Sequence, residues 1–401
     1  MFQLDKKHQK YEKYNPTNID WIRDIPDGWN IRKIAQVCHI SRGRVIAKTD
    51  MVEEWWLFPI YSSQTANNWV IWYLNSYDLD GEYLTWTTDW ANAGTVFYRT
   101  GKFNATNVCW TLKVKEKIFL SFLRYALSVS TKRHVREDIN PKLMSNMMAR
   151  ISVQLPNDIQ EQQKIADYLD KKTAVLDEAI IKKKKQIELL TEHRRALIND
   201  AITKGLNKNV KMKDSGIEWI GKVPANWWVK PLYSEVKENK KRNQENANNN
   251  VLSLSYWKII RRDVESNFGL LPESFETYQI VDEWMIIMRL TDLQNDKKSL
   301  RVGYVKELWI ITSAYVGLIS KWWIMPPFLY QLLHSYDLQK VFYFLWWWVR
   351  QGMNYNDLRR LSLLIPPIEE QKQIIDFLDK ETKYIDDMIA IVKERPKPLS
   401  C

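Results

Sequence analysis

Residues 161–180 read EQQKIADYLDKKTAVLDEAI and residues 370–389 read EQKQIIDFLDKETKYIDDMI, one helix-forming stretch written twice at an offset of 209 residues. In the first copy apolar residues recur at Ile165, Leu169, Leu176, Ala179, Ile187, Leu190, Leu197 and Ala201. In the second they recur at Ile374, Phe377, Leu378, Ile385, Met388, Ile389 and Val392, with Lys and Glu between. This three-four spacing predicts an amphipathic helix in each case. The starts are marked as well. Asp158 precedes Glu161 by three residues, a capping-box spacing, and Pro367 with Glu369 and Glu370 places proline and negative charge in a first turn, where free N–H groups and the helix dipole favour them. Each stripe is too narrow to be a core alone, so antiparallel pairing of the two helices is the economical burial. From Glu161 to Gly205 the first helix would run about 65 Å at about 1.5 Å per residue, the length of a spacer. The second lacks the equivalent of Gln186 to Gly205, and Pro396 and Pro398 stop it.

A second duplication precedes each helix by a globular stretch. WIRDIPDGWNIRKI from Trp21 returns as WIGKVPANWWVKPL from Trp219, at an offset of 198, with matches at Trp21/Trp219, Ile22/Ile220, Pro26/Pro224 and Trp29/Trp227. The chain therefore reads as a globular unit and a helix, twice over. The expected class is α+β: two mixed α/β units (1–155 and 206–365) separated by two long helices (156–205 and 366–401) that form an antiparallel coiled coil. Within the units, strands are expected around Val70–Leu74 and Thr95–Tyr98, and short helices at Phe119–Val129 and Pro327–Leu333. The polar, asparagine-rich run from Lys237 to Asn250 is expected to be a mobile loop.

A formal charge of +11 favours a polyanionic partner, because Lys and Arg release counterions from a phosphate backbone. A membrane surface is the rival. No run of about 18 apolar residues occurs and the first residues lack a signal-peptide core, so a cytoplasmic, non-membrane protein is expected. Cys38, Cys109 and Cys401 lie far apart, and the five histidines make no metal-like pair, so neither disulfide nor metal is expected. Catalytic signatures are missing too. No phosphate-cradling glycine loop occurs, Asn140-Pro141 runs into Lys142 rather than a second proline, and Glu370-Gln371-Lys372, a nuclease-like spacing, falls on the predicted helix.

Twenty tryptophans stand against 12 glycines, where average usage of about 7% would give roughly 28 glycines. Trp21, Trp29, Trp86, Trp219 and Trp227 fit by repeat or context. The other fifteen, Trp55, Trp56, Trp69, Trp72, Trp90, Trp110, Trp228, Trp257, Trp284, Trp309, Trp322, Trp323, Trp346, Trp347 and Trp348, sit where glycine would serve. The pattern predicts a gene in which UGA stands for glycine at these fifteen positions, with the indoles at turns or in solvent and the entry tryptophans Trp21, Trp29, Trp219 and Trp227 at least partly buried.

VKMKDSGIEWIGKVPANW (Val210–Trp227) and LIPPIEEQKQIIDFLD (Leu364–Asp379) resemble segments of the specificity subunits of type I restriction-modification systems. The first resembles the opening of that family's second recognition domain, the second its proline-rich entry to a helix. In TTDWANAG the family's Asp-Gly-Ala-x-x-Gly turn carries Trp90 for its glycine. The resemblance implies a non-catalytic subunit in which two target-recognition domains each read half of a bipartite double-stranded DNA site. It also implies helices that bind methyltransferase subunits and fix the gap between half-sites, and restriction-translocase subunits in the same complex. No cofactor is expected in this chain; S-adenosylmethionine, ATP and Mg belong to the partner subunits. The second reading is a truncated scaffold that binds a methyltransferase and reads no DNA.

Arg and Lys hold phosphates, while Arg, Asn and Gln pair with purine edges, so candidate DNA contacts are basic and amide residues near turns. They are Arg42, Arg44, Lys48, Gln64, Asn67, Asn68, Lys132, Arg133 and Arg136 in the first unit, and Lys258, Arg261, Arg262, Arg289, Arg301, Arg350 and Asn354 in the second. The expected helix–helix interface is Ile165, Leu169, Leu176, Ile187, Leu190 and Leu197 against Ile374, Phe377, Ile385, Met388 and Val392.

Overall fold

Tyr83–Thr87 and Cys109–Val114 are runs rich in β-branched and aromatic residues, and they pair antiparallel with Trp86 opposite Trp110 and Leu84 opposite Leu112. Such residues suit a pleated, half-buried surface. The computed structural model describes residues 11–54, 57–63, 70–89, 92–115, 117–136, 141–244, 251–255, 258–261, 274–291, 300–346 and 353–394. The chain divides into two units, Met1–Ala179 and Ile180–Cys401.

The first unit runs β1 (Tyr14–Ile19), β2 (Ile22–Pro26), β3 (Trp29–Lys33), α1 (Ile34–Val37), β4 (Cys38–Arg42), β5 (Phe58–Tyr61), β6 (Val70–Leu74), β7 (Leu79–Asp80), β8 (Tyr83–Thr87), β9 (Val96–Arg99), β10 (Lys102–Ala105), β11 (Cys109–Val114), α2 (Leu120–Ser130), α3 (Ser145–Arg150) and β12 (Ser152–Pro156), then enters α4 (Ile159–Lys204). Its sheets have the orders β4-β11-β8-β9 and β6-β5-β10-β7, with pairs β1-β2 and β12-β3. Sheet, α1, α2 and α3 close around Ile34, Leu84, Trp86, Leu112, Leu123 and Met148. Trp86 is fully buried, and its Nε1 donates to Leu143 O at 3.1 Å, which satisfies the one polar atom of the indole.

The second unit runs β13 (Met212–Asp214), β14 (Lys222–Pro224), β15 (Trp228–Pro231), α5 (Leu232–Glu235), β16 (Val236–Glu238), β17 (Val251–Ser255), β18 (Lys258–Arg261), β19 (Gln279–Val281), β20 (Ile286–Met288), β21 (Val302–Tyr304), β22 (Trp309–Ile311), β23 (Val316–Ser320), α6 (Pro326–Leu338), α7 (Val341–Trp346), α8 (Tyr355–Leu358), β24 (Ser362–Ile365) and α9 (Ile368–Lys393). Its sheets are β16-β23-β20-β21 and β18-β17-β22-β19, with pairs β13-β14 and β15-β24. Adding twelve to each strand number of the first unit reproduces every pairing of the second. Even the parallel pair β5/β10 recurs as β17/β22. The duplication legible at the entry segments and helices thus extends through the whole of each unit. Lys237 and Glu238, expected in a mobile loop, lie in β16, while residues 245–250 lie outside the described residues.

The start of α4 packs in the first unit, and its end packs with α9 in the second. The first turns of α4 bury Ala166 and pack Ile165 on the first core, and Asp170 accepts from Arg124 Nη2 at 2.8 Å and from Tyr125 OH at 2.6 Å. Glu161 does not complete a capping box. Asp158 caps Gln160 N at 2.9 Å, and Glu161 accepts from Trp29 Nε1 at 3.1 Å and Tyr11 OH at 2.5 Å instead. In the second unit the last turns of α4 bury Ile198, Ala201 and Ile202, and Leu197, Ile374 and Phe377 join the same core. There α4 and α9 run antiparallel: Arg194 pairs with Asp386 at 3.1 Å, and Lys183 Nζ donates to Glu394 O at 3.4 Å.

The predicted stripe therefore divides by position. Ile187, Leu190, Met388 and Val392 are half-buried at the paired levels, with Ile385 at 2% exposure. Ile165 serves the first core, and Leu169 lines a 310 Å³ apolar cavity with Trp21, Trp29 and Phe122. Leu176 is corrected: α9 ends level with Lys183, and Leu176 is 59% exposed.

Two buried ionisable groups on α6 give the second unit a testable pH response. Burial holds His334 down to about 4 from its ordinary 6.5, helped by Arg194 and Arg195. Burial pushes Asp337 up to about 6 from 3.8, against the Arg301 backbone N–H and Lys340. The imidazole stays neutral where the unfolded chain takes up a proton, so its contribution is whole above 6.5 and lost as pH falls toward 4. The carboxyl keeps its proton where the unfolded chain releases it, so its contribution is whole below 3.8 and lost as pH rises through 6. The two oppose each other in the overlapping window. Relative to the parent, His334→Leu is expected to gain stability as pH falls from 6.5 to 4.5, and Asp337→Asn to lose it, each on the order of 1–3 kcal/mol by urea unfolding. Parallel curves for all three chains would refute the assignment.

Candidate nucleic-acid interface

The stretch Ser41-Arg42-Gly43-Arg44 leaves β4 across the backbone of the β10–β11 turn. Gly43 is required there: a Cβ would lie 2.3 Å from both Ala105 O and Thr106 O, too close for any side chain. Gly43 N donates to Cys109 O at 3.1 Å and Arg44 N to Ala105 O at 3.0 Å. Arg42 and Arg44 are exposed on either side of this crossing. Arg42 Nε donates to Asn107 O at 2.7 Å, its guanidinium 5.6 Å from the Trp110 ring centroid. Arg44 Nε pairs with Asp78 at 2.7 Å, with both side chains well exposed. Such a pair is weak in water and a phosphate could replace the carboxylate.

Further hydrogen bonds gather neighbouring loops to the same turn. Thr106 N donates to Tyr61 O at 3.0 Å and Thr106 Oγ1 to Ser62 Oγ at 3.1 Å, which anchors the segment leading to Gln64, Asn67 and Asn68, themselves outside the described residues. Thr88 Oγ1 donates to Val108 O at 3.2 Å, and Leu143 N to Thr88 O at 2.8 Å. Arg136 and Lys142 exchange backbone hydrogen bonds, and Lys142 Nζ lies 4.0 Å from Asp89. The turn therefore brings together Arg42, Arg44 and Asn107 with the loop bearing Arg136 and Lys142: cations for phosphates beside an amide able to read a base edge.

Lys48 is exposed on a short 3₁₀ turn, Lys48–Asp50. Lys132 and Arg133 follow α2, and Arg133 is drawn elsewhere, its guanidinium 5.4 Å from the Trp21 ring centroid in an open cleft with Asp20, Arg23 and Asp24.

In the second unit the segment that leaves β16 is Asn239, Lys240, Lys241 and Arg242, which sequence reasoning missed; Arg242 there bridges to Gln279 of β19, whereas Arg44 bridges to Thr106 after β10. All three cations are exposed. Asn239 N donates to Gly317 O at 2.8 Å, and Arg242 Nη1 to Thr277 O at 2.8 Å. The offset of 198 that relates Trp21 to Trp219 carries Arg42 to Lys240 and Arg44 to Arg242. The signal was in the repeat, but glycine-free NKKR does not look like SRGR.

Lys258 and Arg261 lie on β18, and Arg262 and Arg350 lie outside the described residues. Arg289 is half-buried after β20. Asn354 is exposed but caps α8, accepting from Asn356 N at 2.8 Å. Arg301 is a correction. It is fully buried, with Nη1 donating to Thr291 O at 2.6 Å, Nε to Tyr343 OH at 3.2 Å and its backbone N–H to Asp337. Its charge is consumed by the fold, where these groups hold it inside the core and no donor is left for DNA.

Among the described residues no group of three His, Cys, Asp or Glu is placed to hold a metal ion, and no helix is long and apolar enough to cross a membrane. Residues 26–189 match the family described as type I restriction modification DNA specificity domain. A putative type I specificity subunit N-terminus from Mycoplasma pneumoniae is 47% identical over 140 residues, which are 34% of this chain and 74% of the relative. A second putative type I specificity subunit from that organism is 38% identical over 188 residues, 45% of this chain and half of the relative. In overall fold the chain is similar to one solved in a study of complex assembly and conformational transition of the type I R-M system, with a TM-score of 0.61, 13% identity and coverage of 92% and 93% of the two chains. The chain therefore belongs to the specificity subunits of type I restriction-modification systems.

Proposed function

We propose that each unit reads one half of a bipartite double-stranded DNA site, through the basic segments that leave the equivalent strands β4, at Arg42/Arg44, and β16, at Lys240/Arg242. The observation that carries this reading is the strand-for-strand duplication with an exposed basic cluster at the same topological point in each copy. Methyltransferase subunits dock on the paired helices and restriction subunits join them; S-adenosylmethionine, ATP and Mg act in those partners, and this chain contributes recognition in the cytoplasm. Exchanging residues 206–363 for the matching segment of another specificity subunit is expected to change one half of the methylated motif and leave the other intact. A change in both halves would overturn the modular reading, and methylation without sequence preference would favour the scaffold.

We infer further that the excess tryptophans are glycine positions of the gene. Trp284 adopts φ +75° at 51% exposure, and Trp322 and Trp323 are 94% and 69% exposed. A left-handed backbone suits glycine and strains an indole. Two positions run against the expected exposure. Trp110 packs beside Trp86 at 5.8 Å, and Trp309 is buried with Nε1 donating to Glu307 at 3.1 Å. Among the entry tryptophans, Trp21 and Trp29 are half-buried and Trp227 fully buried. Trp219 is more exposed than expected, with its ring edge-on to Tyr336 at 4.6 Å. Trp55, Trp56, Trp69, Trp90, Trp257, Trp347 and Trp348 lie outside the described residues.

A further inference from the structure

Both units hide the same amide at the same point. Gln162, on the first turn of α4, is 3% exposed, and Gln371, on the first turn of α9, is fully buried. Gln162 Nε2 donates to Pro156 O at 2.8 Å, and its Oε1 accepts from Phe119 N at 2.9 Å. Gln371 Nε2 donates to Pro366 O and Trp323 O, each at 2.9 Å, and its Oε1 accepts from Met325 N at 2.8 Å. Pro156 ends β12, and Pro366 directly follows β24. Phe119 and Met325 are the N-cap residues of α2 and α6, and neither helix has a side-chain cap of its own. One side chain therefore joins three elements in each unit: the spacer helix that carries it, the last strand of the recognition domain, and the start of that domain's main helix. A free N–H at a buried helix start must find an acceptor, and here the acceptor comes from the spacer.

The surroundings differ between the copies. Glu161 accepts from Trp29 Nε1, whereas Glu370 accepts from Asn226 Nδ2 at 3.2 Å and the buried Trp227 Nε1 finds no hydrogen-bond partner among the described residues. The amide clasp persists where the neighbouring tryptophan–glutamate contact does not. A helix can measure distance along DNA only if each reading domain is fixed to it in angle, and a doubly bonded amide buried at the joint supplies that fixity.

We propose that Gln162 and Gln371 are positioning residues that lock each recognition domain to its spacer helix and so set how strictly the gap between half-sites is enforced. The inference rests on the bipartite reading above. Gln162→Met and Gln371→Met keep the side-chain volume and lose the two and the three hydrogen bonds respectively. Gln162→Glu and Gln371→Glu keep the acceptor for the cap and lose the donor to proline, and they serve if the methionine chains do not fold. Two readouts apply to the complex with its methyltransferase: amide hydrogen exchange at Phe119 and Met325, and methylation of duplexes whose gap is varied by one base pair. Exchange at Phe119 in the Gln162 variants, and at Met325 in the Gln371 variants, is expected to rise about tenfold, with methylation spreading to the neighbouring gaps while both half-sites stay the same. Faster exchange with an unchanged gap preference would overturn the proposal and leave the glutamines a purely structural part. A parent complex that shows no gap preference would overturn the bipartite reading itself, and the proposal with it.

Discussion

Seven residues inserted after Leu190 are expected to lengthen the unread gap of the methylated motif or to abolish methylation, with both half-site sequences unchanged wherever activity survives. Two turns of helix add about 10 Å of rise and leave a residual rotation of about 20°. That is roughly three base pairs of duplex at about 3.4 Å each. Leu190 lies where α4 runs beside α9, between the levels marked by Lys183–Glu394 and Arg194–Asp386, so a whole heptad preserves the apolar face on each side of the insertion. A four-residue insertion would turn the following segment by about 40° and is expected to be the more damaging of the two, because half-sites read from one face must keep phase as well as distance. Methylome sequencing of cells carrying each variant reads the gap directly. An unchanged gap with the heptad in place would exclude the helix as the ruler.

The second large effect separates two tryptophans. Trp309→Gly is expected to destabilise the chain by about 3–5 kcal/mol, since it empties a buried niche in the cluster of Leu252, Val281 and Ile311. Trp284→Gly is expected to stabilise it by about 1 kcal/mol: glycine relieves a left-handed backbone that costs other residues roughly 1–2 kcal/mol, less the lost contact with Tyr304 at 6.1 Å. Urea unfolding of the two single variants tests the signs. The gene tests the origin: UGA is expected at the fifteen positions and UGG at Trp21, Trp29, Trp86, Trp219 and Trp227. UGG at most of the fifteen would end the glycine reading.

The helices were legible because a three-four stripe with marked starts leaves little choice. Their starts at Ile159 and Ile368 fall within three residues of the expected ones. The duplicated entry motif told of two similar units but not of their strand order, because pairings such as β5 with β10 join residues more than forty apart and local pattern carries no register at that range. The basic clusters divided on the same ground. Arg42 and Arg44 were chosen as basic residues near a turn, and Arg301 was chosen on the same ground but is buried; only tertiary packing distinguishes them. Lys240 and Arg242 went unread because the repeat was followed in its apolar markers and not in the charges between them. Gln162 and Gln371 stood in plain sight within the duplicated stretch, but nothing local separates a buried clasp from an ordinary surface glutamine.

The burial of Arg301 bears on how new specificities could arise. Its guanidinium reaches Thr291 O, so Thr291 and Arg301 are held together within the domain core. Loop closure grows only slowly costlier with length, about 0.6 kcal/mol for each doubling, and the clasp bears the part that matters. Substitutions between Thr291 and Arg301, by mutation or in a randomised library, are therefore expected to leave this closure in place.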